Sequence, residues 1–387
     1  MRILIIHNQL WAHYKATVFN ELHRIASNQD ATVHVIHIAE VEKSRQSMGD
    51  SSTDIHQYSY EVLFGGALEE VSFLPKLAKL LERVTAFAPD VVNVTGYYDP
   101  ATWALLLYCQ LRGIPVVMSN ESTLQDQTRR GFKERFKRWL VGQYDGFFCF
   151  GTKAAEYMMA LGVLPDKILT KNAAVVDNDE IKAIFEANQS RAFAHKQALG
   201  LPTYNFIFVG RLVGVKNLPF LLSAFRAAQV FAPDWGLILI GDGDLKASLQ
   251  TQIQQQQIER VYFAGGHSWQ KIPEWLTLGD IFVISSTSET WGLVVNEAMV
   301  CGLPVLVSSW CGCAVDLVEE GVNGYTFNPT KQADLEHKLR WFIENTAQFQ
   351  PMGMASQRII QRFAPATAAH DMFEAFKKLS QKSTRPA

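Results

Sequence analysis

Phe206-Ile207-Phe208-Val209-Gly210-Arg211-Leu212-Val213-Gly214-Val215-Lys216-Asn217-Leu218-Pro219-Phe220-Leu221-Leu222-Ser223-Ala224-Phe225 is the stretch that decides the fold. It opens on an apolar run of strand length. A loop with two glycines and two cations follows. Leu218, Leu221, Leu222 and Phe225 then fall on one helical stripe. Asn217 stands where a helix cap belongs, and Pro219 is tolerated in a first turn. Strand, loop and helix in this order make one unit of a parallel sheet, because parallel neighbours need a crossover connection.

The unit recurs on both sides. Downstream, Leu237–Ile240, Val261–Phe263, Ile281–Ser285 and Val305–Ser308 read as strands with helices between them. Upstream, the strands are Ile3–His7, Val33–Ile38, Val91–Val94, Val116–Ser119 and Gly146–Phe150. Val18, Leu22 and Ile25 stripe one helix there, and Leu74, Leu77, Leu81 and Val84 another. A further helix runs from Lys153 to Leu161 and stops at Gly162. Periodicity blurs between Lys171 and Leu201, which places the domain connection near the start of that stretch. The fold class is therefore α/β, with two Rossmann-like domains, expected to face each other across a cleft. We expect residues 1–173 in the first and 174–365 in the second. A final helix from about 366 to 387 is expected to pack back on the first.

The 387 residues suit two domains of ordinary size. Hydrophobic residues make up 48% and charged residues 19%, as in a soluble enzyme. A net charge of -2 gives no argument for nucleic acid. The five cysteines contain no C-x-x-C pair and read as reduced thiols of a cytoplasmic protein. His34 and His37 read as ordinary surface or core histidines. Signal-peptide features are missing, and no apolar run approaches the ~20 residues of a spanning helix.

Ligands of open parallel sheets bind beyond the carboxyl ends of the strands. Arg211 and Lys216 follow such an end. Arginine offers a fork to phosphate oxygens and lysine a movable point charge, so the pair suits a diphosphate. The spacing is not that of a P-loop. Ser288-Glu289-Thr290-Trp291-Gly292-Leu293-Val294-Val295-Asn296-Glu297 follows another strand end. Glu289 lies before the helix and Glu297 one turn inside it. The first amides, at Gly292, Leu293 and Val294, form an anion site. Gly241-Asp242-Gly243-Asp244 has half a dinucleotide fingerprint and reads as a tight turn. No complete G-x-G-x-x-G follows a strand, which argues against a dehydrogenase.

Val209-Gly210-Arg211-Leu212 with Lys216, the seven-residue separation of Glu289 and Glu297, Cys301-Gly302-Leu303-Pro304-Val305 and Gly321-Val322-Asn323-Gly324 together resemble the retaining glycosyltransferases of family four, with the GT-B fold. The likeness covers the second half and is looser in the first, through Leu161-Gly162-Val163 and Val176-Asp177-Asn178. It implies that Gly210, Arg211 and Lys216 meet the leaving diphosphate. Glu289 would hold hydroxyls of the transferred sugar, Glu297 the ribose, and backbone around Ala264 and Gly265 the base. It implies a nucleotide-diphosphate sugar as co-substrate, UDP-glucose being the first guess, with no cofactor and no metal. The Gln9-Leu10-Trp11 loop departs from the family's Gly-Gly pair.

The first half is expected to bind a glycan or lipid-linked acceptor, through Asn8, Tyr97, Asp99, Glu121 and Ser122. Tyr97 would stack on a sugar ring. Arg129, Arg130, Lys133, Arg135, Lys137 and Arg138, over the stripe Phe132, Phe136, Trp139 and Leu140, make a basic amphipathic helix. It suits an anionic membrane surface or a lipid diphosphate. A sugar-nucleotide 2-epimerase and a non-catalytic sugar-nucleotide-binding protein remain alternatives. The four residues Arg211, Lys216, Glu289 and Glu297 together argue against the latter.

Overall fold

The structure, a computed structural model, describes residues 1–43, 54–124 and 132–383. It divides into two compact units: Met1–Val176 with the chain from Arg362 onward, and Asp177–Gln361.

The first unit is a seven-stranded sheet. Its strands are β1 (Arg2–Gln9), β2 (Thr32–Ala39), β3 (Tyr60–Val62), β4 (Val91–Thr95), β5 (Val116–Asn120), β6 (Gly146–Cys149) and β7 (Ile168–Thr170). Between them run α1 (His13–Ser27), α2 (Phe73–Phe87), α3 (Pro100–Leu111), α4 (Phe132–Gly142) and α5 (Gly151–Ala160). The strand order is β3-β2-β1-β4-β5-β6-β7, and the ladders are parallel. Chain order reverses between β1 and β4, which makes that junction the topological switch point. Ile3, Leu4, Ile5 and Ile6 are completely buried, as a strand covered on both faces requires.

The second unit starts with α6 (Asn178–Gln189) and α7 (Ala192–Ala198). Its strands are β8 (Tyr204–Val209), β9 (Trp235–Ile240), β10 (Val261–Gly265), β11 (Ile281–Ile284), β12 (Val305–Ser308) and β13 (Gly324–Phe327). Its remaining helices are α8 (Leu218–Gln229), α9 (Lys246–Gln256), α10 (Ile272–Leu276), α11 (Leu293–Val300), α12 (Ala314–Leu317), α13 (Gln332–Glu344) and α14 (Phe349–Ile360). The order β10-β9-β8-β11-β12-β13 puts the switch point between β8 and β11. The last helix, α15 (Pro365–Ser383), lies in the first unit against α1, with Phe376 edge-on to Phe148 at 5.1 Å.

Three details differ from the sequence reading. First, β1 continues through Gln9, because Gln9 still pairs with Ala39; Asn8 therefore stands inside the strand rather than in a loop after it. Second, α2 buries Lys76, Leu80 and Val84, while Leu74 is 71% exposed. Lys76 goes inward because its ammonium meets Asp99 at 2.6 Å. Third, Asn217 holds the cap position without a side-chain cap bond. Its amide donates instead to the Pro329 carbonyl at 3.0 Å.

Candidate functional site

The second unit builds its candidate site where β8 and β11 end. Backbone amides lace the loop after β8 to the loop after β9. Gly210 N–H donates to Ile240 at 2.9 Å, Leu212 N–H to Asp242 at 2.8 Å, and Leu245 N–H to Leu212 at 2.9 Å. Gly241 is required here, since a Cβ on it would run into the Gly210 carbonyl. The Gly-Asp-Gly-Asp stretch is therefore a brace for the Arg211 loop. The loop after β11 is tied to the same segment. Ser285 Oγ donates to the Lys216 carbonyl at 2.8 Å, and Thr287 N–H to Val215 at 2.8 Å.

Two side chains meet across this junction. Lys216 Nζ donates to Glu289 Oε2, and both are largely withdrawn from water. Ser286 Oγ approaches the same oxygen at 3.5 Å. Glu289 lies beside the start of α11: a Cβ on Gly292 would stand 3.4 Å from Glu289 Cγ. Its backbone is held too, because the Gly312 amide donates to the Glu289 carbonyl at 2.9 Å. Trp291, buried, donates from Nε1 to Asn296 at 2.8 Å and fixes the entry into α11. Leu293 and Val294 open the helix, where amides have no intrahelical acceptor. Arg211 is exposed, with no ion pair among the described residues.

Glu297 sits on α11 among buried neighbours. Its surface still reaches solvent, but the surrounding protein withdraws enough water to push its pKa up to about 8. No hydrogen-bond or ion-pair partner meets its carboxyl among the described residues. Such a carboxyl is costly unless a ligand uses it. At the end of β10, Ala264 is half-buried and its carbonyl lies 3.0 Å from His267 Nε2. The Gly265 carbonyl accepts from Gly241 at 2.8 Å. Among the described residues no group of three or more His, Cys, Asp or Glu is placed to hold a metal.

In the first unit the expected residues divide. Asn8 is half-buried in β1. Tyr97 is only 2% exposed, so it has no free face for a sugar. Its hydroxyl bonds those of Tyr157 at 2.9 Å and Tyr98 at 3.0 Å. The exposed ring is Tyr98, packed on Tyr97 at 4.3 Å. Asp99 is a helix cap rather than a free carboxylate, accepting from Ala101 N–H at 2.9 Å and from Lys76. Glu121 pairs with buried Lys15 at 3.1 Å. Ser122 is held by Asn120, which accepts its N–H at 3.3 Å and donates to its carbonyl at 2.9 Å. Sequence reasoning passed over Lys15 and His7, although His7 lies near the end of β1 at the switch point.

Arg129 and Arg130 lie outside the described residues, as does the Lys133 side chain. On α4, Arg135, Arg138 and Trp139 are exposed, and Lys137 lies 5.7 Å from the Tyr97 ring centre. Among the described residues no helix is long and apolar enough to cross a membrane. The five cysteines are buried, and none of them forms a disulfide.

Comparison with known proteins bears on this arrangement. The family described as "Glycosyl transferases group 1" matches residues 189–359. "Glycosyltransferase Family 4" matches residues 16–170. A sulfoquinovosyl transferase of Arabidopsis thaliana is 25% identical over 74% of the chain and 56% of its own length. An alpha-monoglucosyldiacylglycerol synthase of Acholeplasma laidlawii is 27% identical over 39% of the chain and 38% of its own length. The chain thus spans about half the length of these curated relatives, or less. Among solved structures, HepE of Anabaena in complex with UDP superposes with a TM-score of 0.75 at 21% identity, over 98% of this chain and 100% of that one. HepE was also solved with UDP-glucose, with a TM-score of 0.71. These likenesses show the GT-B fold of two Rossmann-like domains.

Proposed function

From the premise that the chain belongs to the family 4 glycosyltransferases, we propose that it moves a sugar, with retention, from a nucleotide-diphosphate sugar to a glycan or lipid-linked acceptor. The observation that carries this reading is the convergence of Lys216, Glu289 and the start of α11 at the switch point of the second sheet. A diphosphate there meets free helix amides and the Arg211 fork, and it competes with Glu289 for Lys216. Glu289, released from the lysine, turns to hydroxyls of the transferred sugar. Glu297 supplies an acceptor for the ribose, and the backbone at Gly210, Ala264 and Gly265 borders the base and phosphates. Charge grows on the departing phosphate oxygen as the anomeric bond breaks, and Arg211 and Lys216, carried on a loop held by backbone hydrogen bonds, meet it. The acceptor hydroxyl bonds to the anomeric carbon, the glycosidic electron pair leaves with the diphosphate, and the acceptor proton follows to a phosphate oxygen. The two cations supply the charge for which other enzymes use a metal, so the reading needs none.

UDP-glucose is the first donor to test, a choice supported by the HepE complex of similar fold. The glucosyldiacylglycerol synthase relative favours a lipid-borne acceptor. With that goes a peripheral seat on the cytoplasmic face of a membrane through residues 129–140, where exposed Arg135, Arg138 and Trp139 suit anionic headgroups. A panel of nucleotide-diphosphate sugars is incubated with the protein, and free diphosphate and sugar are measured. One donor is expected to be hydrolysed or transferred with its anomeric configuration kept. An inverted product, a C2-epimerised sugar nucleotide, or no turnover with any donor overturns the reading.

A further inference from the structure

We propose that His7 and Lys15 form a subsite at the switch point of the first sheet that takes one neutral hydroxyl group of the acceptor. This rests on the reading that the first unit binds the acceptor. A small cavity of about 10 Å³ opens there between the ends of β1 and β4. That is room for about one water molecule, or one hydroxyl. His7, Lys15, Asn93, Thr95 and Ser119 supply its polar lining.

The hydrogen-bond inventory selects what fits. His7 Nδ1 lies 2.9 Å from the Gln9 carbonyl. A carbonyl only accepts, so Nδ1 carries the proton and Nε2 is left as an acceptor. No partner meets that Nε2 among the described residues. Burial, with His37 and Lys15 nearby, holds the ring pKa well below its ordinary value and keeps it neutral. Lys15, only 6% exposed, has three ammonium protons. Glu121 at 3.1 Å takes one, and the Phe150 ring, 4.0 Å away, faces another. One donor remains. Asn93 is already committed, donating to the Val117 carbonyl and Ser119 Oγ, each at 3.1 Å.

Thr95 Oγ1 donates to the Ile6 carbonyl at 3.4 Å and Ser119 Oγ to Asn93 Oδ1 at 3.2 Å, so the donors and acceptors left to a ligand centre on the His7 nitrogen and the Lys15 ammonium. An alcohol answers both, donating to His7 and accepting from Lys15. Charge selects it over a phosphate or carboxylate. Glu121 already neutralises Lys15, so an anion would have to expel a carboxylate to gain a net attraction. A hydroxyl expels nothing.

Binding of methyl α-D-glucopyranoside to the full chain, followed by NMR, tests this, with inorganic phosphate as competitor. Saturable binding of the glucoside is expected, unaffected by phosphate. Lys15→Met and His7→Phe, which keep bulk but remove one partner each, are expected to weaken it by about tenfold. Glu121→Gln on the part-exposed rim covers the case where the buried variants do not fold. It leaves the Lys15 charge uncompensated, so phosphate is expected to compete with the glucoside in that variant alone. UDP binding, read in parallel, is expected to be unchanged in every variant; its absence from the parent would count against the donor reading and not this one. The proposal is overturned if the parent shows no saturable glucoside binding, if phosphate displaces the sugar from the parent, if folded Lys15→Met or His7→Phe binds like the parent, or if Glu121→Gln ignores phosphate.

Discussion

Replacing Glu297 by Gln is expected to make the protein more stable at alkaline pH while weakening its hold on a nucleoside diphosphate. The carboxyl ionises at about 8 in the fold, against about 4.3 in an unfolded chain. Its folded value is raised, so the fold binds this proton more tightly. The resulting stability is complete below about pH 4.3 and lost as pH rises through 8. At about 1.4 kcal/mol per pH unit, the loss across that window is about 3–5 kcal/mol. Gln cannot ionise, so the variant lacks this term. Urea unfolding of parent and variant at pH 5 and pH 9 measures it. The difference between the two proteins is expected to move toward the variant by that amount, whatever the neutral amide itself costs.

Ligand binding has the opposite sign. Ribose hydroxyls donate, so they favour the carboxylate. The apparent affinity for UDP is then reduced by the fraction of Glu297 still protonated. With ionisation at about 8, affinity is expected to rise about tenfold between pH 7 and pH 9. That range lies above the phosphate ionisation near 6. Calorimetric titration with UDP reads the effect directly. A flat profile in the parent, or an equal rise in Glu297→Gln, refutes the ribose assignment. Parallel stability curves refute the desolvated carboxyl.

Four further outcomes follow from the same geometry. Lys216→Met and Arg211→Ala are each expected to lower turnover by about 100-fold, as for loss of one preorganised charge contact; near-normal turnover in folded variants contradicts the diphosphate clamp. Glu289→Gln is expected to lower kcat without weakening diphosphate binding, because its partner sugar changes charge in the transition state and its loss frees Lys216 for the diphosphate; a variant that merely melts earlier and turns over normally makes Glu289 structural. In acid, His37 titrates at about 3 in the fold and near 6.5 unfolded, so its stability is complete above pH 6.5 and falls below it, by about 2 kcal/mol at pH 5. Unfolding of the parent and of His37→Phe at pH 7 and pH 5 checks this: the stability difference between the two proteins is expected to shift by that amount, and an unchanged difference contradicts it. Changing Arg135, Lys137 and Arg138 to Gln is expected to weaken binding to anionic vesicles by about 1 kcal/mol per charge, with no binding by the parent at low salt as the contrary result.

What was legible in the sequence was local. The run Phe206–Val209, its loop and the stripe of α8 are set by neighbours along the chain, so period and punctuation suffice. What was not legible depended on partners far away. Glu289 was read as a sugar-binding residue and Lys216 as a phosphate-binding one, but nothing in either segment says that they touch across 73 positions. Tyr97 and Tyr98 are adjacent in a loop without period, and only packing against Tyr157 decides which ring is buried. Asp99 before Pro100 carried a readable cap signal, yet its second oxygen goes to a lysine on another helix. Lys15 had no signal, since lysines are seldom buried and its carboxylate lies beyond β5.

These misses share a cause, and it bears on where the chemistry lies. In the second unit, the loops after β8 and β11 are each held by backbone from a neighbouring strand's loop. Gly241 and Gly312 have no side chain because each lies against the backbone of such a neighbour, Gly210 in one case and Thr290 in the other. From sequence, Gly241-Asp242-Gly243-Asp244 reads as half a dinucleotide fingerprint and a tight turn, but here the work of Gly241 is close approach. That approach puts Arg211 and Glu289 on loops that cannot drift apart without breaking backbone hydrogen bonds at both ends. Preorganisation of this kind is what electrostatic stabilisation of a leaving group demands. A side chain at Gly241 would push the start of this loop, at Gly210 and Arg211, away from β9, while its far end at Val215 and Lys216 stays tied to Thr287 and Ser285 beside Glu289. Gly241→Ala is therefore expected to reduce turnover more than it reduces donor affinity, and equal loss of both would mean that the brace serves folding alone.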